Sequence, residues 1–432
     1  MSKSLFDFIP NEKVPDKKSR AIESKADFSK FLKEFKFNED GKVSETKIDE
    51  KIIDNVSISR FINEYWTSKQ RQASSIHEVS YRACFKPQLP RFFISQLTKE
   101  GEVVYDPFSG RGTTVLEAGR MGRNIVQNDI NPLSKILIYP RFFVPKINEV
   151  KERLDQITYS EIYDDTMDLS MFYHEETMKE ILSIKDYMIN REKDGEIDTL
   201  DYWIKMVATN RLTGHSPGFF SVFTLPPNQA ASQKSQIKIN EKRNQVPPYR
   251  NTKKIILTKT KSLIKDVTIS DKKNLKLAGE NGQFLTNDAR KTSEIKDESV
   301  SLTVTSPPFL DIVQYAKDNW LRCWFNNIDI NIIEKKITMA KNISAWSNTM
   351  NSVYSELYRI TKPGGWIAFE VGEVRKGKYK LDEYIVPIGI ENNFECVGIL
   401  INDQEFTKTA NIWGINNNES GTNTNRIVIF HK

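Results

Sequence analysis

The sequence predicts an α/β protein whose mostly parallel sheet is built from two separated stretches of the chain. Short apolar runs that suit buried parallel strands alternate with helical segments. A glycine loop joins the first of these strands to its helix, which is typical of doubly wound sheets. The alternation stops near residue 145 and resumes after Gly282, so the stretch between is predicted to be an insertion with helical and basic parts.

The elements follow in a simple order. "EVVYD" is predicted to be a strand, "TTVLEAGRMG" a helix closed by glycine, and "NIVQND" a strand ending in an acid. Beyond the insertion, "QFLTND", "SVSLTVT", "GGWIAFEV" and "TNRIVIFHK" are predicted strands, and helices are expected from Asp311 onward and at "MNSVYSELYRI". Residues 1–55 are predicted to be a polar extension, helical or partly disordered. The sheet domain is predicted in two parts, 56–145 and 281–432, separated by the insertion at 146–280.

Composition limits the class of protein. With 432 residues, 38% of them hydrophobic, the chain can bury a sizeable core. The net charge of +6, from 63 basic and 57 acidic residues, permits a polyanionic partner without requiring one. Three scattered cysteines and four histidines indicate neither a disulfide framework nor a metal site. The N-terminus lacks the apolar core of a signal peptide, and no apolar run has the length of a membrane helix, so we expect a soluble intracellular protein without membrane contact.

The glycine loop is the first candidate ligand site. "DPFSGRGTT" follows a strand and opens a helix, where glycines let the backbone approach a ligand. Asp129 ends the next strand, 17 residues after Gly112, which is about the spacing at which an acid meets a ribose hydroxyl. The loop lacks the third glycine of a dinucleotide site and the lysine of a P-loop. The alternative is a plain turn, with Asp129 capping the following helix.

Three Pro-Pro pairs occur, and only one stands where ligands bind. Pro307-Pro308 directly follows the β-branched run "SVSLTVT", so it lies at the carboxyl end of a predicted buried strand. The prolines would stiffen this loop and fix where Ser306 and Phe309 point. The pairs at 226–227 and 247–248 lack a preceding strand and are predicted to be turns or extended segments.

Together, "DPFSGRGTT" and the downstream "TSPPF" resemble the S-adenosylmethionine-dependent amino-methyltransferases of DNA, which modify cytosine N4 or adenine N6. The resemblance covers roughly residues 60–135 and 281–372, and "SPPF" is similar to the form in the cytosine-N4 enzymes. It implies a Rossmann-like class I methyltransferase sheet, S-adenosylmethionine as cofactor and double-stranded DNA as substrate. It further implies a prokaryotic cytoplasmic enzyme of a restriction-modification system, paired with a restriction endonuclease.

The resemblance also assigns roles to residues. Asp129 would bond the ribose of the cofactor, Asp288 would lie near its adenine, and Phe85 belongs to the N-terminal cofactor segment. The methionine half of the cofactor would be lined by Asp106, Phe108, Gly110, Gly112 and Thr113, and the catalytic loop would consist of Ser306, Pro307, Pro308 and Phe309.

The chemistry of an exocyclic amino group fits this loop. Its lone pair is delocalised into the base, so acceptors aimed at its protons would make the nitrogen a better nucleophile. Ser306 Oγ and the carbonyl of Pro307 are the candidate acceptors, and Phe309 suits stacking on a base that has flipped out of the duplex. Methylation at carbon 5 would need a nucleophilic cysteine, and no cysteine follows a proline in a strand-end loop.

DNA contacts are predicted in the basic tract of the insertion, where Glu241 is the only acid between Lys234 and Lys265. The insertion falls one strand earlier than the usual target-recognition region of the family, and a solvated charged loop is the alternative interpretation. Adenine-N6 methylation, RNA guanine-N2 methylation and non-catalytic nucleic-acid binding remain alternative functions. The candidate DNA contacts are Lys234, Lys238, Lys242, Arg243, Arg250, Lys253 and Lys254.

Overall fold

The computed structural model describes residues 21–39, 42–67, 73–160, 167–308, 315–336, 342–374, 378–403 and 424–432. The strands are β1 (Lys36–Glu39), β2 (Lys42–Glu45), β3 (Lys47–Ile53), β4 (Val56–Asn63), β5 (Val103–Asp106), β6 (Asn124–Asn128), β7 (Gln283–Leu285), β8 (Val300–Thr305), β9 (Thr361–Val371), β10 (Glu373–Val374), β11 (Tyr379–Lys380), β12 (Glu395–Asp403) and β13 (Thr424–His431). The helices are α1 (Lys25–Glu34), α2 (Gln88–Leu97), α3 (Thr113–Arg120), α4 (Leu133–Ile138), α5 (Ile147–Gln156), α6 (Glu175–Lys193), α7 (Thr199–Arg211), α8 (Gln233–Arg243), α9 (Thr252–Ile264), α10 (Ile269–Asn281), α11 (Tyr315–Asp318), α12 (Trp320–Phe325), α13 (Ile330–Lys336), α14 (Ile343–Ile360) and α15 (Asp382–Glu391).

The central sheet has nine strands in the order β3-β4-β12-β13-β9-β8-β5-β6-β7. Strands β5 to β9 pair in parallel, whereas β13 is antiparallel to both of its neighbours. The chain moves outward from β5 through β6 to β7, and then returns to β8 on the other side of β5. This reversal is the switch point of a doubly wound sheet, where ligands bind beyond the carboxyl ends of the strands. The predicted α/β, Rossmann-like sheet is confirmed.

Helices cover both faces of the sheet. On one face, Tyr354 and Leu357 of α14 pack with Ile385 of α15 against the strands. On the other face, Phe93 of α2 and Leu116 of α3 are buried with side chains of α1 and α10. All six residues of β8 are buried, which explains why its sequence is a continuous β-branched run without alternation.

The N-terminal segment differs from its prediction. Strands β1, β2 and β3 lie within this segment, so the expectation of a helical or partly disordered extension is wrong over their residues. Strand β3 pairs with β4, and β4 joins the main sheet beside β12. Charged side chains on β3 are compensated across the strand pair. Asp49 faces Arg60, and its Oδ1 accepts a hydrogen bond of 2.6 Å from Arg60 Nε.

The insertion contributes Phe172, Trp203 and Phe220 to a second hydrophobic core, which also includes side chains of α4 and α12. The basic tract is helical, as α8 and α9, rather than a charged loop. The helical region expected from Asp311 begins outside the described residues and continues as three short helices, α11 to α13. Helix α10, at the end of the tract predicted as insertion, buries Leu275 and Ala278 with the core of α2 and α3.

Other properties of the described part of the chain bear on its class. No helix in these ranges is long and apolar enough to cross a membrane. The same ranges contain no cluster of three or more side chains suited to hold a metal ion. Cys84, Cys323 and Cys396 are free thiols.

Candidate active site at the switch point of the sheet

The two strands at the switch point are joined by a buried hydrogen bond at their carboxyl ends. Asp106 ends β5, and its Oδ1 accepts a hydrogen bond of 2.6 Å from Thr305 Oγ1 at the end of β8. The same carboxylate accepts from the backbone N–H of Phe108 at 3.1 Å. Burial raises the pKa of Asp106 to about 7. Asp106 thus ties the start of the glycine loop to the strand that leads into the Pro-Pro loop, and Thr305 is a partner that sequence reasoning missed.

The glycine loop depends on both of its glycines. Gly110 and Gly112 have φ angles of +52° and +77°, in the left-handed region that residues with a Cβ rarely adopt. A Cβ on Gly112 would lie 2.5 Å from Ile138 Cγ1, and one on Gly110 would lie 3.3 Å from the ring of Tyr81. The loop therefore lies tightly against α4 and against the segment that precedes α2. Thr113 is buried where α3 begins.

Asp129 stands at the end of β6 beside this loop. Its Oδ2 accepts from the N–H of Gly110 at 2.8 Å, and its Oδ1 accepts from the N–H of Asn131 at 2.9 Å. Burial raises the pKa of Asp129 to about 6. A carboxylate has about four acceptor positions, so the two oxygens can still accept from a pair of hydroxyl groups. The arrangement suits a diol such as that of a ribose.

Two further residues predicted to bind the cofactor lie at the same edge. Asp288 follows β7, the strand next to β6, and Arg290 Nε donates to its Oδ1 at 2.9 Å. This guanidinium holds the pKa of Asp288 below its usual range. The carbonyl of Phe85 accepts from Arg111 Nη2 at 3.4 Å, which brings the segment before α2 to the glycine loop. Phe108 is half-buried against the core.

The Pro-Pro loop leaves β8 in a fixed position. Pro307 is buried and Ser306 is half-buried. The carbonyl of Pro308 accepts a hydrogen bond of 3.0 Å from Trp346 Nε1, so α14 anchors the loop three residues beyond the end of the strand. Phe309 lies outside the described residues.

An acid that sequence reasoning missed adjoins Ser306. Strands β8 and β9 are parallel with Thr305 opposite Phe369, so the next residues along, Ser306 and Glu370, are neighbours. Asn425 Nδ2 of β13 donates to the Glu370 carboxyl group. The Ser306 hydroxyl lies near enough to the same group to lower its pKa, against the larger effect of burial. Burial raises the pKa of Glu370 to about 7. The signal in the sequence was a single acid at the end of the apolar run "WIAFEV".

Three of the predicted DNA contacts form an exposed row on α8, and the other four lie in varied surroundings. Lys234, Lys238 and Lys242 are exposed at four-residue spacing on α8, so they form one basic stripe along that helix. Lys253, by contrast, donates to the carbonyl of Ile157 at 2.7 Å. Of the other candidates, Lys254 is exposed, Arg250 is half-buried, and the guanidinium of Arg243 lies 3.7 Å from the ring centre of Phe223.

Type II methyltransferases are among the proteins to which this chain is similar. Residues 10–138 match a family described as DNA methylase, N6_N4_Mtase. Type II methyltransferase M.BsoBI of Geobacillus stearothermophilus is 26% identical over 324 residues, which are 68% of this chain and 60% of the relative. M.MvaI of Kocuria varians is 28% identical over 37% of this chain and 31% of its own length. M.MjaI of Methanocaldococcus jannaschii is 31% identical over 28% and 42%. This chain thus spans less than two thirds of the curated relatives it matches.

Proposed function

We propose that this chain, a member of the N4/N6 class of DNA methylases, transfers a methyl group from S-adenosylmethionine to N4 of a cytosine in double-stranded DNA. One observation carries the proposal: Ser306-Pro307-Pro308 leaves β8 at the switch point, joined through Thr305 and Asp106 to the strand that opens the glycine loop. A cofactor loop and a catalytic loop on adjacent strands are what a direct transfer between two bound molecules needs.

The residues at the edge of β5 and β6 fit S-adenosylmethionine. The glycine loop is tightly packed at Gly110 and leaves no room for a side chain at Gly112. Asp129 retains acceptor capacity for the two ribose hydroxyls. The methionine half of the cofactor would be bordered by Asp106, Phe108 and the start of α3. Asp288 would lie nearer the adenine, and Phe85 would contribute from the N-terminal cofactor segment. When bound, the cofactor supplies an electrophilic methyl group on its sulfonium.

Ser306 would act on the amino group of the base. With its hydroxyl proton turned toward the adjacent Glu370, Ser306 would keep the lone pairs of Oγ free to accept a hydrogen bond from the amino group. Together with the carbonyl of Pro307, this acceptor would stabilise positive charge that develops on the nitrogen. Methylation of an amino group releases one proton. Ionised Glu370 can take the hydroxyl proton of Ser306 as Ser306 takes the proton of the base, and a pKa about 7 suits that role.

Access to this loop requires the cytosine to leave the duplex, with Phe309 as the proposed stacking partner. The lysine stripe of α8 would contact phosphates during this step. We further propose that the enzyme protects DNA within a restriction-modification system, beside an endonuclease that cuts the same sequence. Type II methyltransferases among the relatives support this pairing.

The test of this class of activity is transfer of label. The protein is incubated with S-adenosylmethionine carrying a labelled methyl group and either unmethylated duplex DNA or RNA. We expect label in DNA, and we expect the Ser306→Ala variant to lose most of it while binding the cofactor with unchanged affinity. Label in RNA alone would contradict the proposal and favour guanine-N2 methylation.

A further inference from the structure

A cavity of about 400 Å³ lies between the glycine loop and the insertion. One side is formed by residues 78–81 and Arg111. The opposite side is formed by Arg211 at the end of α7, by residues 226–228 and by Lys259 of α9. The first Pro-Pro pair, predicted from sequence to be a turn or an extended segment, also forms part of the cavity wall.

This cavity shares a wall with the glycine loop. Tyr81 lines the cavity and also packs against Gly110, whose Cβ position lies 3.3 Å from the ring. Arg111 stands between the two glycines, and its guanidinium donates to the carbonyls of His77 and Val79, each at 3.2 Å. A ligand in the cavity would thus lie directly behind the loop that we assign to the cofactor.

Arg211 contributes a buried positive charge. The residue is 9% exposed, and its guanidinium donates to the carbonyl and to Oδ1 of Asn210, at 3.0 and 2.9 Å. The guanidinium also lies 4.0 Å from the ring centre of Phe219. Among the described residues no carboxylate forms an ion pair with Arg211. Burial lowers its pKa to about 10.

Lys259 is also largely buried, and it shares its one described carboxylate partner with another lysine. Its side chain is 12% exposed, and its Nζ lies 3.5 Å from Oε2 of Glu78, which also faces Lys265 at 3.4 Å. Burial lowers the pKa of Lys259 to about 8. Of the described residues that line the cavity, Glu78 is the one acid, against the three cations Arg111, Arg211 and Lys259. Buried positive charge in excess of the nearby negative charge is costly, so an anion would stabilise this cavity.

We propose that this cavity binds a backbone phosphate of the DNA substrate, with Arg211 and Lys259 as its direct contacts; the inference rests on the proposed function. The planar fork of arginine suits phosphate oxygens, and lysine adds a compact charge. Asn228 supports a nucleotide here, because its Oδ1 is buried at the cavity wall with no hydrogen-bond partner in the described structure. That oxygen could accept from an amino group of the base in the same nucleotide.

The experiment compares two lysines of the same helix. Lys259→Gln removes the buried charge, and Lys261→Gln removes an exposed one on α9. Binding of a fluorescent duplex is measured by anisotropy over a range of salt concentrations. We expect Lys259→Gln to weaken binding about tenfold and to lower the slope of log affinity against log salt by about one. Lys261→Gln should change affinity less than twofold, and Lys259→Arg should restore it.

Calorimetry with S-adenosylmethionine, together with thermal unfolding, identifies a variant that is merely misfolded. If Lys259→Gln and Lys261→Gln bind DNA equally, the proposal is refuted, even where the wild type methylates DNA normally. If inorganic phosphate binds the wild type and not Lys259→Gln while both bind duplex equally, the cavity serves a free anion and the proposal is again refuted. Failure of the wild type to bind or methylate any duplex would instead refute the proposed function.

Discussion

Replacing Glu370 by glutamine separates catalysis from stability. Glutamine keeps the size of the side chain and an oxygen that can accept a hydrogen bond, but it cannot take a proton. Because a positioned general base contributes about 10²- to 10⁴-fold, we expect kcat to fall by at least about 10²-fold. Wild-type kcat should rise with pH to a plateau above about 7, where Glu370 is ionised. The variant should lose that dependence, and its KM for DNA should stay within about twofold, a range worth under half a kcal/mol.

The same substitution should stabilise the protein at high pH. Burial raises the pKa of Glu370 from 4.5 to about 7, so ionising it costs the folded state about 3 kcal/mol, at 1.36 kcal/mol per pH unit. A group with a raised folded pKa contributes stability that is fully present below pH 4.5 and lost as pH rises through 7. The gain in unfolding free energy of Glu370→Gln should therefore grow from near zero at pH 4.5 to roughly 2–3 kcal/mol at pH 8.5.

Urea unfolding at several pH values and steady-state methylation of a duplex measure the two effects. Glu373→Gln is the matched control, because Glu373 pairs with Arg426 at 3.0 Å and has no described contact with Ser306. This control should retain kcat and its pH dependence. A Glu370→Gln variant with wild-type kcat and an unchanged pH profile would refute the role of this acid, whatever its stability.

Three further predictions concern the loops. Ser306→Ala should lower the rate constant of methyl transfer in single-turnover assays by about 10²- to 10³-fold, the usual effect of losing one stabilising hydrogen-bond partner. A collapse of cofactor affinity in the same variant would contradict the catalytic role of Ser306. Gly112→Ala should lower the unfolding free energy by about 2 kcal/mol or more in denaturant titrations, because of its left-handed φ and the contact with Ile138; an unchanged midpoint would contradict the geometry. Cofactor affinity, measured by calorimetry, should fall as pH drops below about 6, where Asp129 takes up a proton. The Asp129→Asn variant should bind the cofactor weakly at every pH. A wild-type affinity that does not change down to pH 5 would exclude the Asp129 carboxylate as a ligand.

Local patterns were sufficient for the parts of the fold that the chain builds in sequence order. The run "SVSLTVT" became β8, and "DPFSGRGTT" became the turn between β5 and α3, because a buried strand and a left-handed turn each leave a direct mark on composition. The position of Pro307 after β8 followed from the same reasoning, since strand context rather than the letters distinguished it from the other two pairs. The roles of the site residues stay predictions.

What the sequence could not provide depends on register and distant pairing. Glu370 meets Ser306 only because β9 lies beside β8 in a particular register, and no local pattern fixes that register. The charged composition of β3 concealed a strand, since Asp49 is compensated by Arg60 only once the pair has formed. The cavity beside Tyr81 combines residues that are far apart in the chain, including Lys259, so composition alone could report only a basic tract.

The central claim, methylation of an exocyclic amino nitrogen of cytosine, is tested most directly by the identity of the product. Duplex DNA methylated by the wild-type protein is digested to nucleosides, which are separated and weighed by mass spectrometry against authentic standards. We expect N4-methylcytosine, formed about 10²- to 10³-fold more slowly when Ser306→Ala replaces the wild type. N6-methyladenine would move the target to the other base of the same class, and 5-methylcytosine or an unmodified duplex would contradict the account.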